Sequence, residues 1–183
     1  MALILMGLGI GVSDASATEK LPSQLQAGEH RLILNGSGVR TKTFIELYAA
    51  GLYLTKPNSN SATIIVANEP MALRIQITSG FVSQSSLVNS LEEGFKNTTG
   101  GDTREIRQEI QQFRDCFRDE IKKGDVFDMV YVPQQGVTVN KNGKLKGTVA
   151  GAKFKQALFS IWLSDKPADN VLRQALLTPA SIR

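Results

Sequence analysis

The sequence predicts an α+β fold on a largely antiparallel sheet, and three observations carry that reading. Runs with the two-residue strand period and runs with the 3.6-residue helix period are segregated along the chain rather than strictly alternating. Asn142-Gly143 separates two short strand-like runs, the strongest short-range signal for a tight hairpin. The chain has 183 residues, 42% of them hydrophobic and 21% charged, enough for one core without a disulfide or metal staple.

Ala2 to Val12 is an uncharged stretch followed by Ala15-Ser16-Ala17, the layout of an export signal. It is shorter than the ~20 residues a bilayer span requires. Residues 1–17 are therefore expected to be a signal segment and 18–183 a single domain, periplasmic or otherwise exported, with no stable membrane span. Gly7, Gly9 and Gly11 have a dinucleotide-loop spacing but follow no strand of a βαβ unit.

His30 to Leu34 reads as a short strand ended by a turn cluster, Asn35-Gly36-Ser37-Gly38. Phe44 to Leu54 reads as a long strand buried on both faces, weakened at Gly51. Residues 56–61 form a loop, and Thr63 to Ala67 a short strand or helical turn. Met71, Leu73, Ile75 and Ile77 alternate with Ala72, Arg74 and Gln76, which predicts a half-buried strand. Ser83 to Ser86 offers helix caps ahead of Leu87, Val88, Leu91 and Phe95. A second helix is expected to carry Ile106, Ile110, Phe113, Phe117 and Ile121 as one stripe ending at Gly124. Strands follow at 126–132, 137–140 and 144–149. Phe154 to Trp162 predicts a helix, and Pro167 suits the first turn of another, whose face is Leu172, Ala175 and Leu176.

Composition excludes much chemistry. The lone Cys116 rules out an internal disulfide framework and a cysteine zinc site, and the lone His30 rules out a histidine-rich metal site, so no metal is expected. P-loop, G-x-S-x-G, C-x-x-C and H-E-x-x-H patterns are absent, and no cofactor is expected. The net charge of +4 is not clustered, which argues against a nucleic-acid partner. Asn35-Gly-Ser37 and Asn97-Thr-Thr99 match the glycosylation sequon.

Three stretches go further. The first is Leu34-Asn-Gly-Ser-Gly-Val-Arg40 followed by Phe44-Ile-Glu-Leu-Tyr-Ala-Ala-Gly-Leu-Tyr-Leu54. The second is Lys123-Gly-Asp125 leading through Tyr131-Val-Pro133 to Asn142-Gly143. The third is Gly151-Ala-Lys-Phe154 through Ala157-Leu-Phe-Ser-Ile-Trp-Leu-Ser-Asp-Lys-Pro167. In order and spacing the set resembles the bacterial chalcone isomerase-like proteins, which are typically exported, over residues 25–177. The resemblance implies an open-faced β-sandwich, a large antiparallel sheet covered on one face by helices, with a ligand cleft between the layers. Its plant enzymes cyclise a chalcone to a flavanone, and its non-enzymatic members bind fatty acids.

The resemblance also implies site residues. Arg40 matches the cation that stabilises developing negative charge, a role suited to an always-charged guanidinium. Tyr48 stands where the enzymes carry a Thr, and Val82, with Phe81 beside it, where they carry a Tyr. Asn89 and Ser160 match polar positions on the two cleft helices. Loss of the Tyr hydroxyl removes a donor of the kind worth ~10²–10³ in rate. The expected function is therefore non-catalytic binding of a small apolar or amphipathic anion, such as a fatty acid, by Arg40, Tyr48, Phe81, Val82, Asn89 and Ser160. The alternative is a weak intramolecular lyase of phenolic enones, with Arg40 as its catalytic residue. A third reading is an envelope interaction module whose cleft is sealed by Tyr48 and Phe81. Purely structural roles also stay open: Arg40 pairing with Glu46, Tyr48 in the core, Asn89 satisfying backbone, Ser160 bonding back within its helix.

Overall fold

A computed structural model describes residues 21–179 of the chain. The segment expected to be an export signal, residues 1–17, lies outside them.

Seven strands form one antiparallel sheet in chain order, each paired with the next: β1 (Gln24–Ala27), β2 (His30–Lys42), β3 (Ile45–Leu54), β4 (Met71–Ile77), β5 (Val126–Val132), β6 (Gly136–Lys141) and β7 (Lys144–Val149). Helix α1 (Ser61–Val66) bridges β3 and β4. Helices α2 (Gln84–Thr98) and α3 (Arg107–Asp115) intervene between β4 and β5. Helices α4 (Ala152–Leu163) and α5 (Asn170–Leu176) close the chain. Antiparallel neighbours joined mostly by hairpins give this meander, and the long β4–β5 connection carries α2 and α3.

The two-residue period assigns the faces. Tyr48, Ala50, Leu52 and Leu54 of β3, the odd-numbered residues of β4, and Phe127, Met129 and Tyr131 of β5 point to the helices and form the main core. A smaller cluster of Ala27, Leu32, Tyr53 and Ala72 occupies the other face. There the sheet curls until β1 approaches β4 and β5. That curl buries Ala72 completely and Gln76 to 9% exposure, so β4 is covered on both faces, not half-buried as its alternation predicts. Arg74 keeps partial exposure through a bidentate pair with Asp128, directly opposite on β5, at 2.6 and 2.8 Å.

The Asn35–Gly38 cluster is not a turn. β2 runs through it, with a bulge between Leu34 and Gly36. These glycines serve packing: a Cβ on Gly36 would lie 2.2 Å from the Ala175 carbonyl oxygen, and one on Gly38 2.7 Å from Ala175 Cβ. Their bare backbone is the bed on which α5 lies. Asn35, only 1% exposed, fixes the bulge. Its Nδ2 donates to the carbonyls of Asn58 and Leu176, and its Oδ1 accepts from the Asn58 N–H. A side chain so enclosed is closed to glycosylation in the folded state.

The stretch at Thr63 to Ala67 resolves to helix rather than strand: α1 runs to Val66, with Asn60 as N-cap and Ala67 as C-cap. Helix α2 starts at a reciprocal box between Ser83 and Ser86. Helix α3 stops at Asp115, short of its predicted stripe, although Phe117 and Ile121 are still buried in the irregular chain beyond. Pro167 falls before α5, whose N-cap is Asp169. The Asn142-Gly143 hairpin forms as predicted, both residues at positive φ, and Asn142 bonds back to Val126 and Asp125.

Lys155 of α4 is 2% exposed. Its ammonium donates to the carbonyls of Ile65 and Ala67 at 2.7 Å each, and lies 5.1 Å from the Tyr131 ring centre. It thereby holds the C-terminal end of α1, where exposed carbonyls favour a cation.

Candidate functional site

Arg40 and Tyr48 are register partners across β2 and β3, on the helix-facing side, near the end of the sheet. Tyr48 is 2% exposed, and its hydroxyl oxygen accepts the Trp162 indole N–H at 3.0 Å. Indole nitrogen only donates, so this bond fixes the hydroxyl as acceptor. Half-buried Arg40 places its guanidinium carbon 5.8 Å from the Tyr48 ring centre. Burial pushes the Tyr48 hydroxyl above its ordinary pKa; the Arg40 charge and the Trp162 bond pull it back, and Asp169 adds to the rise. Tyr48 is therefore a neutral phenol at physiological pH. Among the described residues Arg40 has no carboxylate within ion-pair distance, and Glu46 does not pair with it.

Beside Arg40 opens a pocket of about 180 Å³ between the end of β2, one face of α2 and the α4–α5 connection. Arg40, Lys42 and Lys166 supply positive charge to its lining and Glu93 the negative. Ser90, Glu93 and Asn97, at helical spacing, present the α2 wall. Asn89 lies one residue, and so about 100° of helix rotation, away and is exposed. Ser90 and Asn97 are the polar groups that reading from sequence missed; the i, i+7 spacing from Ser90 to Asn97 was the available signal.

The remaining expected site residues scatter. Phe81 is 78% exposed in the turn before α2. Val82 is 6% exposed in the core, at the N′ position, where it serves with buried Leu87 as a hydrophobic staple. Ser160 is half-buried, and its carbonyl accepts the N–H of Ser164 at the end of α4. The structure thus pairs Arg40 with Tyr48, and neither Phe81 nor Asn89 lines the pocket beside Arg40.

Deeper in, aromatic side chains pack between sheet and helices. Phe95 of α2, Phe113 of α3 and Phe154 of α4 meet at ring distances of 5.6–5.9 Å, and Phe117 continues the chain to Phe127 of β5 at 5.1 Å. The open volume near Arg40 lies at the rim of this layer and not within it. Among the described residues no cluster of His, Cys, Asp and Glu could hold a metal, and no helix is long and apolar enough to cross a membrane.

This arrangement is a single antiparallel sheet, helices on one face and an arginine at the rim between the layers. The chalcone isomerase-like family profile matches it over residues 14–178. The chain belongs to the chalcone isomerase-like family. Its fold is similar to the crystal structure of an Arabidopsis thaliana fatty-acid binding protein, with a TM-score of 0.68 at 21% identity, covering 86% of this chain and 90% of that one. No curated protein matches the chain. Family membership accounts for the ordered glycine, Lys-Gly-Asp and Asn-Gly stretches as pieces of one framework, since each sits where the sheet bulges, turns or receives a helix.

Proposed function

We infer that this protein is an exported, non-catalytic binder of an anionic, apolar small molecule such as a fatty acid, whose carboxylate pairs with Arg40. The observation that carries this reading is Arg40 itself. It is a half-buried guanidinium with no carboxylate partner among the described residues, at the wall of a pocket shared with two lysines. A guanidinium so placed is built for a bidentate carboxylate. The family assignment and the likeness to a fatty-acid binding protein support the same class of ligand.

The pocket, about 180 Å³, is smaller than the ~300 Å³ at which ligand sites usually begin, so it takes the head of the ligand. The tail enters by parting α2 from α4, which approach so closely that a Cβ on Gly94 would lie 2.7 Å from Ile161 Cγ2. Catalysis is disfavoured because the position of the enzymes' Tyr is filled by buried Val82, which has no hydroxyl to donate.

Native mass spectrometry of the purified protein and titration with fatty and phenolic acids test the reading. Arg40→Ala is expected to weaken carboxylate binding about ten- to hundred-fold, the scale of a lost charge-assisted hydrogen bond. Unchanged affinity for every acid overturns it. Chalcone cyclisation above the spontaneous rate, lost in Arg40→Ala, would assign catalysis instead. For the export part of the reading, the secreted protein should begin at Thr18, and an intact N-terminus overturns it.

A further inference from the structure

The hairpin joining β2 to β3 turns on only two residues, Thr43 and Phe44, since Lys42 already pairs with Ile45. Both have left-handed backbone, with φ of 48° and 67°. Such turns normally use Asn-Gly, and a β-branched or aromatic residue there is strained. The strain secures nothing in the fold, because the Phe44 side chain is 99% exposed. Beside it Ile45 is 38% exposed, and Phe81 is 78% exposed on the neighbouring loop. That loop is tied to the same end of the sheet, where the Thr78 N–H donates to the Leu47 carbonyl and the Thr78 hydroxyl to the Glu46 carbonyl. Next along the edge come exposed Lys122 and Lys123, followed by Asp125, whose carbonyl accepts the Ile77 N–H. Exposed Lys42 completes the group. Against these cations stand exposed Glu46 and Glu120, the latter paired with Lys122 at 3.1 Å.

We propose that this end of the sheet docks on an anionic lipid surface, with Phe44, Ile45 and Phe81 entering the interface and Lys42, Lys122 and Lys123 meeting the headgroups. Aromatic tips beside lysines suit a boundary that is apolar below and negatively charged above. The apolar residues stand out on separate loops instead of lining a groove, which favours a deformable lipid surface over a peptide or a second protein. Lys42 belongs both to this edge and to the wall of the Arg40 pocket, so docking brings the pocket to the membrane surface. The proposal stands on the exposed tips and does not depend on the ligand assigned to Arg40.

The test is co-sedimentation of the full chain with vesicles of phosphatidylcholine containing phosphatidylglycerol, and with phosphatidylcholine alone. Binding is expected to the anionic vesicles and to weaken with added salt. Phe44→Asn and Phe81→Ser are each expected to weaken it on the order of ten-fold, the scale of one aromatic side chain returned to water. Asn tolerates left-handed backbone, so Phe44→Asn should melt no lower than the parent while losing membrane affinity. Phe44→Asn should keep the parent's affinity for fatty acid in solution, which separates this surface from the Arg40 reading. The proposal is overturned if the parent ignores anionic vesicles, or if the double variant binds them equally well. It is also overturned if the two substitutions instead abolish a concentration-dependent self-association, which would make a second copy the occupant.

Discussion

Lys155 gives the sharpest test of how this core is balanced. Its ammonium lies at 2% exposure without a carboxylate partner among the described residues, and burial pushes its pKa from 10.5 down to about 8. The direction of the pH effect follows from linkage. Between about 8 and 10.5 the unfolded chain still holds the Lys155 proton while the folded chain has released it, so unfolding takes up a proton. Stability from this group therefore rises with pH across that window, by about 3 kcal/mol in total at 1.36 kcal/mol per pKa unit. The carbonyls of Ile65 and Ala67 and the Tyr131 ring favour the charged form, so about 3 kcal/mol is the upper end. Lys155→Met keeps the volume and removes the charge. It also removes the donor from two carbonyls at the end of α1, each worth about 1–3 kcal/mol if left unsatisfied. The charge's own desolvation cost, relieved in the variant, offsets part of this. The expected net at pH 7 is a loss of about 1–3 kcal/mol, widening as pH rises towards 10, because the parent gains stability across that window and the variant does not. Urea unfolding of parent and variant at a series of pH values measures the difference directly, since other titrating groups cancel. A variant as stable as the parent at pH 7, or a stability difference that does not widen above pH 8, refutes the reasoning.

Three further outcomes are expected. Gly36→Ala should destabilise the fold by about 3 kcal/mol or more, because its Cβ would lie 2.2 Å from one backbone oxygen and 2.5 Å from another in α5; thermal unfolding at parental temperature would contradict that packing. Trp162→Phe should cost about 1 kcal/mol by removing the indole donor from the buried Tyr48 hydroxyl, which keeps its hydrogen bond with Arg40, measured by chemical denaturation followed by circular dichroism; a neutral result would mean the bond is not needed. Cys116 is 3% exposed, and burial, with Asp115 adding to it, raises its thiol pKa, so a disulfide reagent should label it only as fast as the protein opens; rapid labelling of folded protein would contradict its placement.

Much of the fold was legible because local period reports local structure. The strands at 126–132 and 144–149, the helix from Ser83 and the Asn142-Gly143 hairpin were readable within windows of a few residues. Where reading failed, the deciding contact lay far along the chain. Glycine at 36 and 38 signals a turn by propensity, yet its role is to receive α5 from the far end of the chain. The four-residue β1 is too short for a period to show, and it is secured by pairing with β2. The apolar stripe continuing to Ile121 predicted helix, but burial alone keeps Phe117 and Ile121 apolar, in irregular chain as readily as in helix.

The candidate site divides the same way. The sequence alone, through ordered motifs that survive in one dimension, determined the family, the element types and the singling out of Arg40 and Tyr48. Only the tertiary structure decided that these two meet across a ladder, that Tyr48 is held by Trp162, and that Ser90 rather than Asn89 faces the pocket. It also decided that Phe81 stands in solvent, on a loop tied to the end of the sheet that carries Phe44. The physical reason is that a side chain's direction depends on helix phase and strand register, which are set by packing between distant elements. Its chemistry is carried by the residue itself.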